Sequence, residues 1–198
     1  MARRFHQTHT PILLLKLDIT KAFDTVRWDY LLDLMHKRGF LPRWRNWITN
    51  ILRSSSTRIL LNGNPGEPIK HGRGLRQGNH LSPLLFILAI DPLNQILDKA
   101  TDKGYLTALN GRTARPRTSL YANDAAIFIR PTTQDMRNLA RILSLFGEVT
   151  GLRTNMEKSQ EAPICCTNLD LGAILTNFLA SITGFPMKYL SLCWSSPS

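Results

Sequence analysis

The stretch Ser119–Arg130 (SLYANDAAIFIR) constrains this chain more than any other, because two short apolar runs flank Asn123-Asp124. That is the pattern of a hairpin turning on two residues. A second apolar run, Ile12–Ile19 (ILLLKLDI), has strand length, is rich in branched residues and ends at the carboxylate of Asp18. Thr20 is placed to cap a following helix whose apolar face includes Phe23, Val26, Tyr30, Leu31 and Leu34 and which Gly39 closes. A second helix follows Pro42, with Trp44, Trp47, Ile48, Ile51 and Leu52 at spacings of three and four. That spacing reads Trp44 and Trp47 as packing residues rather than base-stacking ones. Thr57–Leu61 reads as a strand, Asn62–Gly66 as turn chemistry and Ile69–His71 as the return.

Ser82-Pro83 starts a helix through Leu97, after the polar, Gly-rich loop Gly72–His80. A further helix begins near Thr132 and Thr133 and ends near Gly147 and Gly151. A strand through Ala162–Cys165 and a short one around Tyr189–Leu192 complete the reading. Antiparallel strands interleaved with long helices predict an α+β fold, a sheet with helices packed on one face.

Composition narrows the class. Of 198 residues 43% are hydrophobic and 20% charged, which excludes disordered, collagen-like and coiled-coil proteins. The longest apolar stretch, Leu84–Ile90, is far short of the ~20 residues that span a bilayer, so no membrane role is expected. Three cysteines, Cys165, Cys166 and Cys193, form neither a disulfide framework nor a zinc-spaced cluster. A reducing, intracellular compartment is the economical reading. The formal net charge is +11, and residues 1–76 hold 14 Lys+Arg against 5 Asp+Glu. A basic surface of this kind invites polyanions, because each neutralised phosphate releases condensed counterions.

Two constellations carry possible chemistry. An acid at a strand end (Asp18) and an acid on a tight turn (Asp124, beside Asn123) can meet at one edge of an antiparallel sheet. Hard oxygen ligands gathered this way suit Mg²⁺, which takes one or two carboxylates plus waters and substrate phosphates. Asp also caps helices and Asn-Asp also makes turns, so spacing alone leaves both readings open. Gly74–Pro83 (GLRQGNHLSP) is a Gly-rich loop entering a helix, with Arg76 and Gln77 as side-chain donors. An ordinary loop and helix start would read the same way.

Taken together, LLLKLDITKAFDTVRW, GFLPRWRNWI, STRILLNGNPGEPIKHGRGLRQGNHLSP, SLYANDAAIF, GLRTNMEKS and FPMKYLSL resemble the reverse transcriptase of non-LTR, LINE-type retroelements, the plant-type ones most closely. The resemblance implies a polymerase palm with incomplete fingers and no thumb over residues 16–192. Residues 1–15 would be an N-terminal remnant and residues 193–198 a divergent tail. It implies an RNA-directed DNA polymerase that joins a primer 3′-hydroxyl to an incoming dNTP on an RNA template, using two Mg²⁺ ions. By resemblance Asp18 is the first metal-binding aspartate, and Asn123 and Asp124 occupy the paired-aspartate turn. Phe23 is the aromatic that crowds the 2′-position, and Arg76, Gln77 and Gly78 support the template and the nascent base pair. Lys158 is the lysine that protonates or neutralises the leaving pyrophosphate, and Phe185–Leu192 resembles a primer-grip hairpin. For Asp24 a plain reading competes with the motif: an acid that organises a helix start, where negative charge is favoured. A nuclear location is implied by the family, and no protein partner is indicated.

The departures from the family pattern fall on the chemistry. Asn123 stands where the family has an aspartate, so a neutral carbonyl replaces a charged ligand and metal binding is weakened. Asn79-His80 stands where the family usually has Asp-Pro, and Ser191 and Cys193 replace a usual Gly and Pro. The sequence opens 17 residues before Asp18, without the upstream fingers strands. The expectation is a polymerase domain with impaired catalysis; the alternative is a non-catalytic, basic nucleic-acid-binding remnant or co-opted module.

Overall fold

The computed structural model describes residues 9–109, 117–121, 124–167, 169–175, 181–182, 187–189 and 192–194. Strand β1 (Ile12–Ile19) runs through the middle of a five-stranded sheet. It continues into a four-residue helix, α1 (Ala22–Thr25), and then α2 (Trp28–Lys37) and α3 (Pro42–Arg53). Four two-residue strands follow: β2 (Ser56–Thr57), β3 (Leu60–Leu61), β4 (Asn64–Pro65) and β5 (Ile69–Lys70). Next come α4 (Ser82–Ile90) and α5 (Pro92–Asp102), the pair β6 (Thr118–Tyr121) and β7 (Asp124–Ile129), α6 (Thr133–Thr150) and β8 (Thr154–Ile164). The short α7 (Leu171–Ile174) precedes β9 (Ser181–Ile182), β10 (Met187–Tyr189) and β11 (Leu192–Trp194).

The sheet order is β6-β7-β1-β8-β9. Every pairing in it is antiparallel except β8 with β9, which departs from the wholly antiparallel expectation. Successive side chains of a strand point to opposite faces, and β1 uses that period fully. Leu13, Leu15, Leu17 and Ile19 face the helices, packed with Leu31, Met35, Phe86, Leu97, Met136 and Leu139 in the main core. Each such fully buried side chain contributes about 1.5–3 kcal/mol of burial free energy. The alternate positions run Ile12, Leu14, Lys16, Asp18, from apolar to charged. Ile12 and Leu14 form a second, helix-free cluster with Leu109, Ala126, Phe128, Ala162 and Ile164. Lys16 and Asp18, at the other end of this face, remain partly exposed. One end of the second face is therefore dry and the other polar.

Several boundaries differ from the expectation, each for a local reason. Thr20 caps no helix; the turn after β1 passes through Lys21 in the left-handed region, and the expected single helix is two, broken at Val26 and Arg27. At that break the backbone groups bond elsewhere: Val26 accepts from the Gly74 N–H at 2.8 Å, and the Arg27 N–H donates to the Thr150 carbonyl at 2.9 Å. Pro92 ends the expected 82–97 helix at Ile90 and opens α5 one residue beyond Asp91. The expected Thr57–Leu61 strand is two short pieces, and its Asn62-Gly63 turn has positive φ at both residues (50° and 81°), the pattern of a type I′ hairpin.

Strand β8 starts at Thr154, eight residues before the expected Ala162. Thr132 does cap α6, accepting from the Asp135 N–H at 3.1 Å, and Gly151 closes it at φ 85°. Near the end of the chain β10 and β11 pair antiparallel, with Tyr189 opposite Leu192; Phe185 lies outside the described residues. The packing role expected of Trp44 and Trp47 is not what the structure shows. They remain 40% and 48% exposed, edge to face at 5.8 Å, with the Arg43 guanidinium 4.8 Å above the Trp47 ring. Only Ile48 and Leu52 of that helix reach the core.

Candidate active site

Asp18 ends the polar half of β1's second face, and its Cα partner across β7 is Asp124. Residues paired directly in an antiparallel ladder share a face and lie within side-chain reach of one another. The expected hairpin is present, with Tyr121 opposite Asp124. Asp124 is thus the first residue of a strand rather than part of a two-residue turn. Asn123 lies outside the described residues.

The position of Asp18 is set from the β8 side as well. The register there jumps from Lys16↔Gln160 to Asp18↔Asn155, so the intervening β8 residues bulge out of the ladder. Within the bulge the Ser159 hydroxyl accepts the Asp18 N–H at 3.3 Å and donates to the Asn155 carbonyl at 2.6 Å. The Asp18 carboxylate itself makes no hydrogen bond or ion pair among the described residues. Ser159 was not foreseen, because a bulge this long leaves no period in the sequence.

Beside Asp18 lies a cleft of about 540 Å³. Among the residues expected at the site, Asp18, Phe23, Gln77, Gly78 and Lys158 all line it. They come from β1, α1, the 72–81 loop and β8, so the fold gathers positions up to 140 residues apart in sequence (158 against 18). Arg76 is exposed on the loop but is not among the lining residues. Lys21 lines the cleft without having been singled out in the sequence.

The aromatic wall of the cleft is held by a second ring. Phe23 stacks on Phe86 of α4 with ring centroids 4.8 Å apart and planes 24° apart, a geometry worth about 0.5–1.5 kcal/mol beyond burial. The loop bearing Gln77 and Gly78 is tied to the same segment. The Leu75 N–H donates to the Phe23 carbonyl at 2.6 Å, and the Trp28 indole N–H donates to the Gly74 carbonyl at 2.6 Å. Asp24 stands in the first turn of α1, as expected of an acid at a helix start, and its Oδ1 also accepts from Gln77 Nε2 at 3.4 Å. Gly74, at φ 87°, is required here: a Cβ would stand 2.6 Å from the Asp24 carbonyl oxygen. At its far end the loop feeds α4 through the Ser82 hydroxyl, which donates to the Arg76 carbonyl at 2.6 Å, and through the Asn79 Oδ1, which accepts from the Leu81 N–H at 3.0 Å. Trp28→Phe keeps the ring and deletes the donor, leaving the half-buried Gly74 carbonyl short of a partner. A loss of about 1–2 kcal/mol in urea unfolding is the expected result; an unchanged midpoint would show that the indole bond does not hold the loop.

A central, largely antiparallel sheet with helices on one face and acids at a hairpin-edge strand end is the architecture of a polymerase palm. The fold is shared with solved telomerase: the apo enzyme of Candida tropicalis, truncated from its C-terminal domain, superposes with a TM-score of 0.55 at 14% identity over 82% of this chain and 34% of that one. The sequence defines the family. Residues 2–188 match the reverse transcriptase (RNA-dependent DNA polymerase) family, and the chain belongs to it.

Among its relatives is the transposon TX1 uncharacterized 149 kDa protein of Xenopus laevis, 27% identical over 96% of this chain and 13% of that protein. Another is the retrovirus-related Pol polyprotein of the type-1 retrotransposable element R2 of Nasonia vitripennis, 38% identical over 43% of this chain and 8% of that protein. The chain is therefore a reverse transcriptase domain of the non-LTR retrotransposon kind, spanning about a tenth of the length of these relatives. Among the described residues no helix is long and apolar enough to cross a membrane.

Proposed function

We propose that the chain is the nucleotidyl-transfer core of an RNA-directed DNA polymerase in which one metal ligand has been neutralised. The observation that supports this most is the ladder register that sets Asp18 opposite Asp124, together with the cleft that Asp18, Phe23, Gln77, Gly78 and Lys158 line. Residues 16–192 act as one domain in this reading, with residues 1–15 and 193–198 as flanks. The plant-type branch rests on the quoted motifs alone. RNA template, DNA primer and dNTPs are the ligands, and chromosomal DNA in the nucleus is the setting that the family implies.

The donor set fits Mg²⁺. The Asp18 carboxylate faces the cleft with no protein partner among the described residues, and one or two carboxylates plus waters and phosphates is what this ion takes. Asp18 and Asp124 would hold it, with the Asn123 carbonyl as a neutral third donor. When bound, such ions activate the primer 3′-oxygen and offset charge on the departing pyrophosphate. The protein's own part is positional. Phe23, fixed by Phe86, walls the cleft on the side where the sugar 2′-position would sit and discriminates by bulk. Gln77 and Gly78, fixed through Gly74, Leu75 and Asp24, present the loop to the nascent base pair. Lys158 supplies a cation, and a proton at Nζ, to the leaving phosphates. Asn123 removes one negative charge from this centre, so ion pairing at the reacting phosphates falls and turnover is suppressed.

A labelled DNA primer annealed to an RNA template, with dNTPs and Mg²⁺, tests this. The expected result is salt-sensitive binding of the duplex by the basic chain and no primer extension. Extension that vanishes with Asp18→Ala would overturn the suppression while keeping the site. Extension that survives Asp18→Ala would overturn the site itself.

A further inference from the structure

We propose that the groove between α5 and α6 docks a short, acidic, amphipathic helix of a partner protein. The groove has a volume of about 420 Å³ and shares no lining residue with the cleft beside Asp18, so the proposal stands apart from the polymerase reading. Each helix presents one row to it at the spacing i, i+3, i+4, i+7. On α5 and its C-terminal end the row is Ile96, Lys99, Ala100 and Lys103; on α6 it is Asn138, Arg141, Ile142 and Leu145. Residues so spaced share one face of a helix. The core takes the neighbouring rows, through Leu93, Leu97, Leu139 and Leu143, which leaves these two facing outward. Ile96 and Leu145 are 39% and 53% exposed there. The end of α5 is tied to α6 without any partner. The Tyr105 and Leu106 N–H groups donate to the Ala100 carbonyl at 2.8 and 3.2 Å, and Asn138 Nδ2 donates to the Tyr105 carbonyl at 2.6 Å.

Charge decides the occupant. Lys99, Lys103 and Arg141 line the groove and no acid does. These three side chains make no ion pair or hydrogen bond among the described residues. A second copy of this chain is a poor occupant, because its net charge of +11 would set cation against cation. A nucleic-acid strand fits no better. Its phosphates would lie over an aliphatic floor, and Tyr105 is the single aromatic lining residue where successive bases need stacking faces. A helix with one apolar row between flanking Glu or Asp residues meets both demands: the row fills the floor and the carboxylates reach the three cations. From Ile96 to Lys103 the chain rises roughly 10 Å, so two to three turns of the partner cover the groove.

Fluorescence anisotropy of the full chain with a labelled synthetic peptide tests this. The probe has about 14 residues, with Leu at i, i+3, i+4 and i+7 and Glu on the flanking positions. Two companions are the same residues with the Leu period scrambled, and a version with Lys in place of every Glu. The wild type should bind the ordered acidic peptide and neither companion. Leu145→Ser, at an exposed position outside the core, should weaken binding about tenfold through lost apolar contact. Lys99→Glu with Lys103→Glu should lose the acidic peptide and gain the Lys version, a reversal that misfolding would not produce. Equal binding of ordered and scrambled peptides, no binding by the wild type, or indifference to Leu145→Ser overturns the proposal. So does a single-stranded RNA oligonucleotide that Leu145→Ser weakens equally, or a wild-type dimer in sedimentation that the same change dissolves.

Discussion

Gly151→Ala is expected to cost about 3–4 kcal/mol of stability, a large share of the 5–15 kcal/mol that holds a typical domain. Gly151 closes α6 at φ 85°, and a Cβ there would collide with the Thr25 carbonyl oxygen. The obstacle is backbone, so no rotamer change relieves it. Nor can the backbone retreat, because the same junction is stitched by the Thr20 N–H to the Arg153 carbonyl and the Arg27 N–H to the Thr150 carbonyl, both at 2.9 Å. Gly39→Ala is the control: φ is 80°, yet nothing lies within 4 Å of the added carbon. That change should cost only about 1 kcal/mol, the left-handed penalty alone. Urea midpoints separate the two effects, and equal losses would show that the α6–α1 junction is not tight. A tight junction matters for function because the turn it clamps carries Lys21, Phe23 and Asp24.

The second large effect concerns Glu161, whose side chain is fully buried. It pairs with Leu15 across β1 and so points to the helix side of the sheet. Burial pushes its carboxyl up to about 7, from roughly 4.3 in an unfolded chain. Between those values the folded state binds more protons than the unfolded one. Stability is therefore full below about pH 4.3, falls by up to about 1.4 kcal/mol per pH unit as pH rises towards 7, and is flat above it. Glu161→Gln keeps the shape and removes the titration. It is expected to be about 2–3 kcal/mol more stable than the wild type at pH 8 and about equal to it at pH 4. Parallel pH profiles for the two proteins would contradict this account of the buried acid.

The sheet and its two acids were legible because strand period and turn chemistry are local signals. Ile12–Ile19 announces a buried strand, and its own alternation places Lys16 and Asp18 on the face left open. Thr132, Gly39 and Asn62-Gly63 likewise sit where their backbone preferences put them. What stayed hidden is decided by contacts distant in sequence. The break at Val26 exists because Gly74 and Thr150 take its backbone bonds, and Ser159 reaches Asp18 only through a bulge in β8. Lys21 gives no sign of its left-handed turn, since nothing about lysine favours one. Trp44 and Trp47 have core spacing, yet the core covers only the Ile48 and Leu52 side of their helix, so period identified the arc and not its cover.

The most direct test of the metal centre is a Mn²⁺ titration followed by electron paramagnetic resonance, since Mn²⁺ accepts the same hard oxygen ligands as Mg²⁺. The wild-type chain should bind it weakly, Asn123→Asp should tighten binding about tenfold by restoring a charged ligand, and Asp18→Asn should abolish it. Binding that is the same in Asp18→Asn as in the wild type would contradict the claim that residues 18 and 124 share a cation.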